Sequence, residues 1–254
     1  DKNGKCTFLN RSCLKLLKYD SQDELLGKSV NQLLHLRRKD GTPMPIEESK
    51  VWQSLKLGKG IFVDDEVFWR SDGTSFDVEY YAYPQLQDGK VVGGVITFYD
   101  VTKIRKREKE LYYLSYHDEL TGLYNTRYIK EELKNIDKEC NLPISIISGD
   151  LNGLKQTNDI FGHEEGDILI KNTAEVMKKV FRKEDIIART GGDEFIIILP
   201  KTDKVEVETI IKKVKEQLSL VPSKTFNYNI SMGCDTKHFI EEDIWQVYRR
   251  ADHK

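Results

Sequence analysis

Between Asp185 and Pro200 the chain reads DIIARTGGDEFIIILP, two short runs of branched apolar residues on either side of a polar, glycine-bearing break. Runs this short, rich in β-branched side chains and bounded by turn residues, predict strands rather than a helix. The pair predicts a buried hairpin, with Gly191-Gly192 supplying the positive φ of a tight turn. Such a hairpin commits this part of the chain to a sheet. The turn itself does not require Asp193 and Glu194 side by side, followed at once by Phe195. Solvated acids on a turn account for them as well as a binding site does, and these residues alone leave both readings open.

The rest of the sequence has two textures. Residues 1–101 alternate turn signals (DKNGK, KDGTP, RSDGT, LQDGK) with strand-like FDVEYYAYPQL and KVVGGVITFYDV. Short helical pieces fall at NRSCLKLLKY and SQDELLG, the second opening on Ser21 with Glu24 completing a capping box. This predicts an α+β unit, an antiparallel meander with a few short helices on one side. Residues 102–117 are highly charged, with Ile104, Leu111 and Leu114 at seven- and three-residue intervals. That spacing suits an amphipathic helix, either a short parallel coiled coil or a solvated linker. From 118 to 254 helix TRYIKEELKNIDKE leads to strand PISIISGDLN, a loop, and helix GDILIKNTAEVMKKVF. The hairpin follows, then helix KVEVETIIKKVKEQLS, strand FNYNISMGC and a last helix from EEDIWQ. Two βαβ-like halves on one antiparallel sheet make a ferredoxin-like arrangement.

Composition removes several classes of function. Lys+Arg 40 against Asp+Glu 42 leaves a net charge of -2, so no global basic field marks a nucleic-acid binder. No apolar run approaches the roughly 20 residues of a membrane helix, which predicts no membrane contact from this segment. The chain does not begin with Met, so a membrane tether outside it stays open. Cys6, Cys13, Cys140 and Cys234 form no C-x-x-C pair, and the five histidines show no ligand spacing. Reduced thiols in a cytoplasmic compartment follow, without a His/Cys metal site.

The chemistry concentrates in a second stretch, SGDLNGLKQTNDIFGHEEGD. Asp150 ends an apolar strand, where a carboxylate emerges from the sheet. The glycines after it allow backbone N–H groups to approach an anion, and Lys155 adds positive charge. Brought together, Asp150, Asp193 and Glu194 form a hard-oxygen set suited to Mg²⁺ (or Mn²⁺), with substrate phosphates completing the coordination. Without a cation the three acids would repel one another.

Gly191-Gly192-Asp193-Glu194-Phe195 is the signature pentapeptide of the GGDEF family, the diguanylate cyclases. HDELTGLYNTRYI resembles the family's D-x-L-T-G-L-x-N-x-R segment, with Asp118, Thr121, Gly122, Asn125 and Arg127 in place. DLNGLKQTNDIFGHEEGD resembles its D-x-(D/N)-x-(F/L)-K-x-x-N-D-x-x-G-H-x-x-G-D segment. The resemblance covers residues 115–254 and implies a cyclase-palm fold. It implies a reaction that joins two GTP molecules into cyclic di-GMP and two pyrophosphates, one GTP being held on each subunit of a homodimer. Carried over, Asp150 and Asp193 are metal ligands with the backbone carbonyl of Leu151. Glu194 is a further ligand or helps to deprotonate the 3′-hydroxyl. Gly153, Leu154, Lys155 and Gly192 fall at phosphate-binding positions, and Asn158 and Asp167 at guanine-reading ones. Arg182 and Asp185 form an R-x-x-D pair five residues before the pentapeptide, the family's product-inhibitory site. The departures are Asn152 for a second acid, Gly153-Leu154 for an aromatic pair, and Thr126 for an arginine. In the family the chain continues to a Lys and an Arg that clamp the phosphates, and these are absent from this sequence.

The front half is similar to a PAS sensor domain. DKNGKCTFLNRSCLKLLKY resembles its early strand and helix, SQDELLGKSV its E-L-L-G-K segment, and GKVVGGVITFYDVTK its last strand ending in D-V-T. The first strand is expected to be cut short. The resemblance implies a relay module whose ligand is unknown; His35 is read as structural rather than as a haem ligand. The implied protein is a PAS-regulated diguanylate cyclase. The alternative is a catalytically silent receptor for GTP or cyclic di-GMP, which loss of Asp150, Asp193 or Glu194 would have favoured. No E-A-L or H-D-x-x-x-G-Y-P segment is present to suggest phosphodiesterase activity.

Overall fold

The computed structural model describes residues 1–34, 37–222 and 228–252. His35 lies outside the described residues. The chain divides into two compact units, Asp1–Lys109 and Glu110–Lys254.

In the first unit three short helices, α1 (Arg11–Leu17), α2 (Val30–Leu33) and α3 (Lys50–Leu57), precede an antiparallel meander of β1 (Ile61–Trp69), β2 (Ser75–Gln87) and β3 (Lys90–Asp100). Asn10 caps α1 through the N–H of Cys13. The capping box expected at Ser21 and Glu24 is present, on a single 3₁₀ turn. The alternation of β2 sends Phe76, Val78, Tyr80 and Ala82 to one face, where all four are buried. Phe68 is the hub of that core, with its ring centroid 5.2 Å from that of Tyr80 and 5.4 Å from that of Phe98. Burying one such ring contributes about 1.5–3 kcal/mol. Helix α4 (Thr102–Tyr116) follows and buries none of its residues. Ile104, Leu111 and Leu114 are all exposed.

The second unit is built on a four-stranded antiparallel sheet. Its strands are β4 (Ile144–Leu151), β5 (Ile186–Arg189), β6 (Glu194–Leu199) and β7 (Ile230–Lys237), in the order β5-β6-β4-β7. Helix α5 (Thr126–Ile136) precedes β4. Helices α6 (Leu154–Phe161) and α7 (His163–Val180) join β4 to β5, α8 (Lys204–Ser219) joins β6 to β7, and α9 (Ile244–Asp252) ends the described chain. This order is the ferredoxin-like βαββαβ plan.

The unbroken apolar runs of β4 and β6 are explained by helices on both faces. Ile147, Leu151, Phe195, Ile197 and Leu199 join a core with residues of α7 and α8. Ile144, Ile146, Ile196 and Ile198 join a second core with Ile129 and Leu133 of α5 and Val247 of α9. Lys237 is fully buried and ion-paired with Asp137, which caps the C-terminus of α5. At the start of the unit, aromatic rings pack α4 onto α5: Tyr113 stacks on His117 at 4.1 Å, His117 lies 4.6 Å from Tyr124, and Tyr124 stacks on Tyr128 at 3.7 Å.

Two expectations are corrected. The segment after β4, expected as a loop, contains the eight-residue helix α6, whose Leu154 and Thr157 are buried at an i,i+3 spacing. Gly153 begins it in the left-handed region (φ 81°) and Gly162 ends it at φ 89°. The hairpin turn does not use left-handed glycines; neither Gly191 nor Gly192 has a positive φ. Four residues, Thr190 to Asp193, span the turn, closed by Thr190 N–H donating to the Glu194 carbonyl at 2.9 Å. A loop of that length does not need the mirror-image turn of a two-residue hairpin.

Candidate active site

The C-terminal end of β4 and the hairpin before β6 meet at one end of the sheet. Asp150 is the register partner of Glu194 on β6 and of Ser231 on β7. The Leu151 N–H donates to the Asp193 carbonyl at 2.9 Å, extending the ladder into the turn. This holds the turn beside Asp150: burial and the neighbouring Asp193 carboxylate both push the Asp150 carboxyl above its ordinary range. Phe195 is fully buried and anchors the strand that carries the turn.

Glu194 is placed differently. A β-carbon at Gly191 would lie 2.8 Å from Oε2 of Glu194, so the acid folds back over the turn. Its charge also acts on Tyr248 of α9, whose phenol is pushed up by burial, by Asp252 and by Glu194. Among the described residues no group of three or more His, Cys, Asp or Glu side chains could hold a metal ion by itself. The three-acid set expected from the sequence is therefore an Asp150–Asp193 pair with Glu194 turned aside. The pair beside the Leu151 backbone still fits Mg²⁺, which takes one or two carboxylates and leaves positions for phosphates.

Behind the acids, the start of α6 offers backbone N–H groups that the helix itself does not use, and no side chain caps it. Lys155 is exposed on its first turn. Leu154 is not available as a side chain, because it is buried in the core against α7; only its backbone can face an anion. Gly192 is exposed at the tip of the hairpin. Asn152 is tied to β7, its Oδ1 accepting from Ser231 Oγ at 3.1 Å. Asn158 on α6 and Asp167 on α7 are both half-buried on two helices packed against each other. Oδ1 of Asn158 is enclosed with no hydrogen-bond partner.

Arg182 and Asp185 do not pair with each other through their side chains. Asp185 is buried and accepts from the Arg182 backbone N–H at 2.7 Å, closing the turn before β5. Burial pushes its carboxyl up in spite of that bond. The exposed Arg182 guanidinium is ion-paired with Glu206 of α8.

The sequence reasoning missed Arg189. Arg189 donates from Nε and Nη2 to the Gly192 carbonyl at 3.2 and 2.9 Å, and from Nη1 to both oxygens of Asp118 at 3.2 Å. Asp118 also accepts from the N–H and hydroxyl of Thr121 at 2.9 and 2.6 Å. Burial raises the Asp118 carboxyl, but the Thr121 bonds and the Arg189 charge outweigh it and leave it below its ordinary range. The signal was an arginine closing an otherwise apolar strand. Thr126 makes a second tie, from its hydroxyl to the Thr190 carbonyl at 2.9 Å.

The first unit contains a cavity of about 850 Å³ whose lining includes Cys6, Leu9, Cys13, Leu17, Ile96 and Phe98. Burial pushes the Cys13 thiol up to about 11, which keeps it in the thiol form. No helix among the described residues is long and apolar enough to cross a membrane.

Comparison with known proteins agrees with this architecture. The model of the "Diguanylate cyclase, GGDEF domain" family matches residues 115–254, and that of the PAS domain matches residues 1–103. The chain is 32% identical over 200 residues to the probable diguanylate cyclase DgcE of Escherichia coli K12, covering 77% of this chain and 18% of that protein. It is 27% identical over 259 residues to a diguanylate cyclase of Vibrio cholerae, covering 99% of this chain and 79% of that protein. Among solved structures, the coiled coil and GGDEF domain of DgcB from Caulobacter crescentus, in complex with c-di-GMP, superposes with a TM-score of 0.55 at 25% identity, over 60% of this chain and 85% of that one. The diguanylate cyclase SiaD from Pseudomonas aeruginosa, in complex with its activator SiaC, superposes with a TM-score of 0.52 at 28% identity, over 59% of this chain and 60% of that one. The chain belongs to the GGDEF family of diguanylate cyclase domains, with a PAS domain in front.

Proposed function

We propose that this protein is a diguanylate cyclase that condenses two GTP into cyclic di-GMP and two pyrophosphates. The observation that carries the reading is the Asp150–Asp193 pair at the end of β4, held together by the Leu151–Asp193 backbone bond. Two neighbouring carboxylates at a sheet end, one raising the other's proton affinity, favour a divalent cation between them. Asp150, Asp193 and the Leu151 carbonyl would hold Mg²⁺ or Mn²⁺, which when bound neutralises charge on the phosphate oxygens and acidifies a nearby hydroxyl.

The chain's own groups do the rest. The free N–H groups at the start of α6, with Gly153, Leu154 and Lys155, receive the triphosphate, and Gly192 lets the turn approach it closely. Asn158 and Asp167 read guanine: an ionised Asp167 accepts from N1–H and the 2-amino group, a pair of donors that adenine lacks. Glu194, folded over the turn, would take the proton of the attacking 3′-hydroxyl, or join the metal ligands once a cation draws it in. Arg182 and Asp185 form the product-feedback site, which requires Arg182 to exchange Glu206 for the ligand.

Each 3′-hydroxyl attacks the α-phosphorus of the other GTP, so catalysis requires a homodimer. The exposed Ile104, Leu111 and Leu114 of α4 support pairing through that helix. The cavity of the first unit is large enough for a small-molecule signal. A signal acts by favouring one dimer geometry energetically. The test is Asp193→Ala. Metal-dependent turnover of GTP is expected to vanish while circular dichroism and thermal midpoint stay close to the parent's. Undiminished product from this variant would sink the assignment.

A further inference from the structure

Helices α6 and α7 meet at a contact that sets the pose of Asn158. Gly166 is buried on the first turn of α7, and a β-carbon built on it would lie 1.9 Å from Oδ1 of Asn158 and 2.9 Å from its Cγ. Ordinary contact between non-bonded heavy atoms is about 3.5–4.0 Å. The amide of Asn158 thus occupies the volume that any side chain at position 166 would need. Its Oδ1 is buried in that notch with no hydrogen-bond partner. An unpaired buried acceptor is destabilising, so helix packing alone would favour an apolar group there.

We infer that Gly166 is a positioning residue for base recognition: its missing side chain forms a notch that seats one end of the Asn158 amide and fixes how the other end meets guanine. The inference rests on the guanine-reading role proposed for Asn158 and deepens it. Asp167 follows Gly166 directly in α7, so the same notch sets the spacing between the two base-reading side chains. Leu154 Cδ1 would also lie 3.2 Å from a β-carbon at Gly166, so the close approach of α6 to α7 by itself favours glycine, although glycine is the poorer helix former. Here the nearest obstacle is the free end of a flexible side chain. Alanine would leave the fold intact and swing Asn158 out of place.

The test is equilibrium dialysis of labelled GTP and ATP against the parent chain, Gly166→Ala, Asn158→Ala and the double variant, with thermal midpoints measured alongside. Gly166→Ala is expected to weaken GTP binding about tenfold, the scale of one lost hydrogen bond, with ATP binding unchanged. It is expected to add nothing in the Asn158→Ala background, and its midpoint should not fall below the parent's. Parent-like GTP binding by Gly166→Ala, with Asn158→Ala weakened, overturns the notch and leaves guanine reading by Asn158 standing. Parent-like binding by Asn158→Ala removes the guanine reading, and the inference with it. If Gly166→Ala fails to fold, Asn158→Ser combined with Gly166→Ala decides the matter, because serine is short enough to clear the β-carbon. Recovery of the fold, with the GTP affinity of Asn158→Ser alone, supports the notch. Failure to recover shows that the contact with Leu154, not the one with Asn158, forbids the β-carbon, and overturns the notch.

Discussion

Replacing Arg189 with methionine keeps the bulk of the side chain and removes the guanidinium that joins the hairpin turn to Asp118. Four hydrogen bonds disappear, two to the Asp118 carboxylate and two to the Gly192 carbonyl. Arg189 and Asp118 are 13% and 23% exposed, so neither charge is fully solvated. Removing one partner of a fully buried pair costs about 3–5 kcal/mol. Here water can reach Asp118 and Thr121 still serves it, so a loss of about 2 kcal/mol is the expected outcome. Native-state hydrogen exchange of the β6 amides reads that loss in the second unit alone. A double-mutant cycle with Asp118→Asn should return a coupling of about 1–2 kcal/mol. The freed turn should also let Asp193 drift from Asp150, raising the Mg²⁺ concentration needed for half-maximal turnover. Additivity of the two substitutions within about 0.5 kcal/mol, with an unchanged Mg²⁺ requirement, refutes the reasoning.

Three further outcomes are expected. Asp137→Ala leaves the fully buried Lys237 without its partner and should destabilise the second unit by about 3–5 kcal/mol in urea denaturation, more than any single surface change. Because the Asp118 carboxyl is held below its ordinary range, its contribution is present above the unfolded value of about 3.9 and is lost as pH falls through the lower folded value. The stability gap between the parent and Asp118→Asn should accordingly be full at neutral pH and close on acidification below that range. In the metal-free protein, Asp193→Asn should lower the titration of Asp150 followed by carboxyl-carbon NMR without returning it to an ordinary carboxylate, since burial also raises it. No movement means the two acids are not neighbours.

Much of the second unit could be read before folding because its signals are local. The run FIIIL has no polar alternation, and a sheet covered on both faces is the arrangement that buries every residue of it. The helix expected at KVEVETIIKKVKEQLS matches α8 residue for residue. The strand expected at FNYNISMGC is borne out over residues 230–234, while residues 226 and 227 lie outside the described residues. Strand β7 runs on to Lys237, a residue that reads as polar and is buried because Asp137 meets it from α5. Helix α6 was hidden by its two bounding glycines and by Asn158 and Asp159, poor helix formers in isolation, which packing on α7 overrides. Asp150 and the hairpin acids were legible, since a carboxylate at the end of an apolar strand sits where desolvation penalises its charge and calls for a partner. Arg189 and Gly166 were not. Each acts on a residue distant in sequence or across a helix pair, and that information exists only once the chain has folded.

The central claim is most directly tested by the product. The protein, at its full natural length, would be incubated with GTP and Mg²⁺, and in parallel with ATP, and the products identified by mass. The account predicts cyclic di-GMP and pyrophosphate from GTP, no cyclic dinucleotide from ATP, and none from either nucleotide after Asp193→Ala. GTP bound but never converted, at any Mg²⁺ concentration, would contradict it and leave a nucleotide receptor in its place.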